Sequence, residues 1–359
     1  MLLLVFFLSA AISTAWRLRA VDSQPGVPAA ITASGGRSPS DAWPQVAGVG
    51  GGPISPSALP SPAAITDRGP DFVYSPTFVQ PVRPEDATSD APPSQAILDK
   101  AVADADSHRF VSASIRQRAD LMGRQLLGSG RYLELRQGVV PMIRLELSIE
   151  IAGQMTSLVQ VCDGRLFWTY RKMLDGESLS HVDAVRATAA LDGLLTASTT
   201  PAAAADVPGL GGISRLIRGL RASFRFATAE RGQLGELPVW RLEGDWKADQ
   251  LAKVLPKQRD AILAGKPADL SRLPIYMPDR VVLLLGQEDL FPYRIEFRRI
   301  VPPKKSSSTE PRSVATLEFF EVNFSAPINP AQFIYTPGAL AKADQDRTDE
   351  FLQSIGAVK

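Results

Sequence analysis

One cysteine, Cys162, and two histidines, His108 and His181, are all that this 359-residue chain has for disulfides and for thiolate or imidazole metal ligation. A lone thiol cannot close an internal disulfide, so the fold must be held by its core. Two histidines are too few for a histidine-rich metal site, and neither H-E-x-x-H nor C-x-x-C occurs. No metal is expected. A charge excess is missing too: 39 Lys and Arg against 38 Asp and Glu leave a formal charge of +1. Nucleic-acid binding needs a basic excess or stripe, so no nucleic-acid partner is expected. G-x-S-x-G, G-x-x-x-x-G-K-[ST] and the dinucleotide glycine fingerprint are absent, and no cofactor is expected.

What the chain does have is 45% hydrophobic residues, enough for one large domain or two small ones. It opens on an apolar run, "LLLVFFLSAAISTAW", Leu2 to Trp16. As a helix this run would span about 22 Å, short of the roughly 30 Å hydrocarbon core. That length suits the apolar region of an export signal, with "SAA" or "STA" as small residues for cleavage. Arg17 and Arg19 follow the run instead of preceding it, against the usual charge order. Residues 1–19 are therefore expected to be a signal peptide or an N-terminal membrane anchor. The protein is expected to be exported, either free in the periplasm or tethered to the inner membrane.

Residues 20–93 hold fourteen of the 29 prolines, among Ala, Ser and Gly, as in "GGGPISPSALPSPAA". Such sequence buries too little apolar surface to offset the entropy of ordering, so a disordered linker is expected. It is either a tether or a spacer of no consequence.

From residue 94 the pattern is that of a folded domain, expected to run to about 340. "SQAILDKAVADADSH" reads as a helix with Ser94 placed to cap it. Then the period becomes two: Ile143, Leu145, Leu147, Ile149 and Ile151 alternate with Arg144, Glu146, Ser148 and Glu150. Similar runs recur to Phe324, joined by short polar turns, and predict about ten antiparallel strands. Helical patterns interrupt them at "DAVRATAALDGLL", with Asp183 as cap, at "GLGGISRLIRGLRA" and at "KADQLAKVLPKQRDAILAG". An antiparallel sheet with one apolar face needs a cover, and these helices are the candidates. The predicted class is α+β: a large curved antiparallel sheet with helices over one face. Residues 341–359 are expected to form a C-terminal helical tail.

Cys162 stands in "VCDGRLFWTYRK", where Asp163-Gly164 separates two alternating runs. Asp-Gly is a strong hairpin signal because both residues tolerate positive φ. A catalytic cysteine needs a base and an oxyanion donor pair. Asp163 is a poor base for a thiol and neither histidine is near in sequence, so a hairpin is expected and no catalytic residue is assigned. The two histidines are read as ordinary strand or surface residues.

The hairpin "VCDGRLFWTY" resembles the Asp-Gly, aromatic and Tyr segment of the LolA-like lipoprotein-carrier half-barrels of the bacterial envelope. Three further stretches resemble that family in the same order: "FVSASIRQR" its first strand, "FPYRIEFRR" a late strand, and "EVNFSAPINPAQFIYTPG" its closing segment. The resemblance covers roughly Gln95 to Pro337. It implies an incomplete β-barrel whose concave apolar face is closed by helices, and a non-enzymatic function of binding a lipidic group. The extra linker, the insert at Thr196–Gly212 and the lack of an N-terminal cysteine depart from the family and set lipoprotein sorting apart from carriage in general.

A cavity lined only by side chains can hold an acyl chain, at about 0.8 kcal/mol per buried CH₂. Leu145, Leu147, Trp168 and Tyr170 are candidates for its lining, with Trp240, Tyr293 and Phe297 from later strands. An ordinary dry core is the alternative for each. Arg136 and Arg144 flank "QGVVP", where the resemblance implies a polar group near the cavity mouth. The stripe Ile213, Leu216, Ile217 and Leu220 is the candidate lid, with glycines at both flanks. The expected partner is a lipid or a lipoprotein acyl chain. A sensory or structural module that binds an envelope membrane protein is the other reading.

Overall fold

Each alternating stretch forms a strand, and hydrogen bonding joins all of them into one open, curved sheet. The structure, a computed structural model, describes residues 77–79, 93–121, 124–151, 153–174, 176–196, 210–302, 312–338, 340 and 344–357. All lie in one compact unit. The strands are β1 (Phe78–Val79), β2 (Phe110–Leu121), β3 (Arg124–Leu135), β4 (Met142–Ile151), β5 (Gln154–Cys162), β6 (Leu166–Met173) and β7 (Gly176–Asp183). They continue as β8 (Phe224–Leu234), β9 (Leu237–Trp246), β10 (Arg280–Gly286), β11 (Pro292–Arg299), β12 (Arg312–Asn323) and β13 (Asp344–Asp346). Across the sheet the order is β1-β8-β9-β10-β11-β12-β2-β3-β4-β5-β6-β7-β13. Only the β7–β13 pair is parallel.

Among the described residues six helices accompany them: α1 (Ser94–Ser107), α2 (Ala184–Thr196), α3 (Gly212–Ser223), α4 (Ala248–Val254), α5 (Arg259–Leu263) and α6 (Thr348–Ser354). The pattern "KADQLAKVLPKQRDAILAG" yields two of these instead of one. Pro256 has no N–H to continue α4 and starts a 3₁₀ turn there. Among the described residues no helix is long and apolar enough to cross a membrane.

The alternation in β4 sets the layers. Ile143, Leu145, Leu147 and Ile149 are buried in the main core, together with side chains from all six helices. The helices therefore cover one face of the sheet, as the apolar pattern requires. The opposite face is not bare. Leu133 and Leu135 pack there on Ile328 and Phe333, and Val282 and Leu284 on Leu234 and Val239. β10 is thus covered on both sides, which explains its unbroken run "VVLLL".

Three expectations need correction. Phe78–Val79, inside the expected linker, pair with Leu234 and Gln233 of β8. The Phe78 ring lies where a Cβ on Gly232 would otherwise stand, so one aromatic contact seats this strand. Residues 344–357 carry a helix, α6, but are more than a helical tail: β13 precedes it and extends the sheet, and Leu352 and Ile355 enter the main core. Ser94 does not cap α1. Its hydroxyl donates to the carbonyl of Ala227 in β8, and the N-cap position is Pro93. Asp183 does cap α2, accepting from Arg186 N at 2.9 Å. The apolar run Leu2–Trp16 and most of the linker lie outside the described residues.

Candidate functional site

Candidate lining and candidate lid share one core. Leu145, Leu147, Trp240 and Phe297 belong to the same buried cluster as Ile213, Leu216, Ile217 and Leu220 of α3. Those four lid residues recur at i, i+3, i+4 and i+7, one stripe of the helix. Each large aliphatic side chain stabilises by about 1.5–3 kcal/mol when fully buried, so this stripe is a substantial part of what holds α3 to the wall.

A polar device fixes where this helix begins. Gly211 and Gly212 have φ of +102° and +72°, a left-handed pair that ordinary residues avoid. Neither supplies a side-chain cap to α3. The cap comes from the sheet: Glu134 Oε2 accepts from Ile213 N at 3.3 Å and from the Tyr132 hydroxyl at 2.5 Å. A Cβ on Gly212 would stand 2.5 Å from both Glu134 oxygens, so glycine is needed for space as well as for φ. The Arg136 guanidinium lies 2.6 Å from Glu134 Oε1, an ion-pair distance without hydrogen-bond alignment. Glu134 is only 1% exposed. Burial raises its pKa from the ordinary carboxylate value, and Arg136 opposes that only in part. The Tyr132 hydroxyl is pushed well up by the same burial and by the carboxylate beside it.

Arg136, an expected mouth residue, stands in this polar set at the start of α3. It also pairs with Asp106 of α1 at 3.1 Å and donates to Ser214 Oγ at 3.1 Å. Asp106 pairs with Arg218 of α3 as well, and Asp99 of α1 with Arg221. Two helices and one strand are joined through this set. Arg144 is elsewhere. It alternates away from Leu145, contacts Glu146 at 2.6 Å and donates to the Gln332 carbonyl at 2.9 Å. The two arginines do not form one mouth.

Trp168 and Tyr170 also fall on the other face. Phe167 and its register partner Val182 are in the main core, so Trp168 points away, packing against His181 (ring centroids 4.9 Å apart) and Tyr335 (5.5 Å). Aromatic bulk suggested lining; the period of two places both rings outside. Tyr293 is half-buried in the β10–β11 region, its hydroxyl donating to Asp289 Oδ2 at 2.6 Å. His181 is indeed a strand residue, with Nδ1 2.9 Å from Asp344 of β13. His108 stacks on Phe324 at 4.1 Å.

Cys162 ends β5, as the Asp-Gly signal predicts. Asp163 Oδ1 accepts from Arg165 N (2.8 Å) and Leu166 N (2.7 Å), and Gly164 takes φ of +91°. The thiol is fully buried and pushed up to about 12, by burial first and then by the Asp163 charge. Its reaction with a water-soluble aromatic disulfide is expected to be immeasurably slow until urea unfolds the chain. Rapid reaction in native buffer would contradict this placement.

The residues missed in the sequence are Tyr132 and Glu134. In "RYLELR" the leucines look like core and the polar residues like surface. Here the leucines face the smaller cluster and the polar set faces inward. One signal existed: a helix opening on Gly-Gly lacks a local cap and needs an acceptor from elsewhere.

No family model and no curated protein sequence matches the chain. Solved structures to which it is similar include a DUF1329 family protein from Desulfovibrio piger, with 8% identity, a TM-score of 0.30, and 67% of this chain and 97% of that chain covered. Another is an outer membrane lipoprotein-sorting protein domain from Vibrio parahaemolyticus, with 10% identity, a TM-score of 0.28, and 66% of this chain and 94% of that one covered.

Proposed function

We propose that this domain binds and carries an acyl chain or a similar apolar group in the bacterial envelope, without covalent chemistry. One observation supports this above the others. The apolar wall is covered by a helix whose inward stripe is entirely aliphatic, and whose start is a glycine pair held by a buried carboxylate of the sheet. Such a cover separates two tasks. The stripe contributes non-directional burial that an acyl chain can replace CH₂ for CH₂. The carboxylate fixes the end about which the helix would swing. The apolar N-terminal run and the four family-like segments support an envelope setting.

The direct test is native mass spectrometry of the full chain with palmitate. Binding of one acyl chain is expected, and no adduct at any accessible concentration would overturn the reading. The ion pairs between α1 and α3 supply a second measurement. Asp106→Asn weakens the contacts to both Arg136 and Arg218. Partly exposed pairs contribute modestly, so uptake of a fluorescent fatty acid is expected to quicken about two- to fivefold. An unchanged rate would mean that α3 is not the gate.

A further inference from the structure

The covered wall also carries a polar strip that holding an acyl chain does not require. Gln160 stands between Leu158 and Cys162 on the core-bearing face and is 7% exposed. Its side-chain oxygen is buried and accepts no hydrogen bond. Gln160 is in register with Thr169 of β6, and Thr169 with Ser180 of β7. Side chains paired this way on one face are about 5 Å apart, so three hydrogen-bonding groups stand side by side. Arg171 follows on the same face of β6, its pKa lowered to about 10 by burial first and then by Arg347. From above, α2 lies against β6 and β7. Its buried side includes Thr188, whose hydroxyl oxygen also has no partner.

A buried acceptor without a donor is unfavourable, and folded proteins seldom retain one without use. We propose that this strip is the headgroup subsite of the carried amphiphile, and that it takes a hydroxyl-bearing headgroup whose O–H groups donate to Gln160 Oε1 and Thr188 Oγ1. The inference rests on the acyl-carriage reading and narrows it. A carboxylate or an ester headgroup brings only acceptors and leaves Gln160 unmatched. A polyol brings donors for Gln160 and acceptors for Thr169 and Ser180.

The test compares 1-monopalmitoylglycerol with methyl palmitate, which share the acyl chain and differ in the donors of the headgroup. With the full chain, displacement of a fluorescent fatty acid is expected to show about tenfold tighter binding of the glycerol compound, the effect of one to two well-made hydrogen bonds. Gln160→Leu keeps the volume and removes the polar atoms. It is expected to bring the two affinities within about twofold of each other and to melt no lower than the wild type. Thr188→Val, on a different element, is expected to reduce the preference partway. Equal affinities in the wild type, as a strip satisfied by water alone would give, would overturn the subsite and leave the carriage reading intact. So would a preference that survives Gln160→Leu. Binding of neither compound would instead overturn the carriage reading itself.

Discussion

Glu134→Ala is expected to destabilise the domain by about 3–5 kcal/mol, the range for removing one member of a buried charge pair. Three groups lose their partner at once: the Ile213 amide at the start of α3, the Tyr132 hydroxyl, and the inward side of the Arg136 guanidinium. Glu134→Gln should cost less, because an amide oxygen still accepts from Ile213 and Tyr132. The two variants separate capping from charge. The charge itself has a pH signature. Burial raises the Glu134 pKa above its ordinary value of 4.5. The unfolded chain then releases this proton at lower pH than the folded one. Between the two values the folded state binds more protons, so stability falls as pH rises through that window and is fullest below it. Urea midpoints measured from pH 4 upward should show this decline in the wild type and lose it in Glu134→Gln. An identical pH profile for both would mean that Glu134 ionises in the fold as freely as in water.

The strand positions were legible because alternation is a strong local signal. All eleven long strands fall on the runs read as strands, β10 on an unbroken apolar run and not an alternating one, and the Asp163-Gly164 turn falls where the dipeptide placed it. The edges were not legible. Two residues, Phe78 and Val79, form a strand because of a partner more than 150 residues away, and no local pattern carries that. Sidedness failed for a related reason. A period of two says which residues share a face, but not which face is covered. Where the second face is also packed, as behind Leu133 and Leu135, polarity stops distinguishing inside from outside. Trp168 and Tyr170, offered as lining, lie on the far face for that reason. The inward stripe of α3 was legible because one helix has only one apolar stripe, and Ile213, Leu216, Ile217 and Leu220 lie on it, buried in the main core.

Arg299→Ala should have an effect as large, at the other end of the covered wall. The side chain is 1% exposed, and its guanidinium donates to five backbone carbonyls. Nη1 reaches Pro274 (2.6 Å) and Met277 (2.9 Å), Nη2 reaches Leu270 (3.2 Å) and Leu273 (3.0 Å), and Nε reaches Val301 (3.1 Å). The segment 264–279 that it gathers has little regular structure beyond the turn Leu270–Arg272. Yet Leu273 is buried in the main core, with Leu270, Tyr276 and Met277 packed against it. One planar cation thus does for this loop what a ladder of backbone bonds does for a strand. Removing it leaves five carbonyls without this donor, Leu273's buried and the others partly so, and a loss of about 3–5 kcal/mol is expected. Lysine is no substitute, because a point charge with three donors cannot span five acceptors arranged around a fork. Arg299→Lys is therefore expected to lose about half as much or more, with faster amide exchange confined to residues 270–277 and stronger binding of an apolar dye. A lysine variant as stable as the wild type would mean that charge alone holds the loop, and that the covering of this end of the wall does not depend on guanidinium geometry.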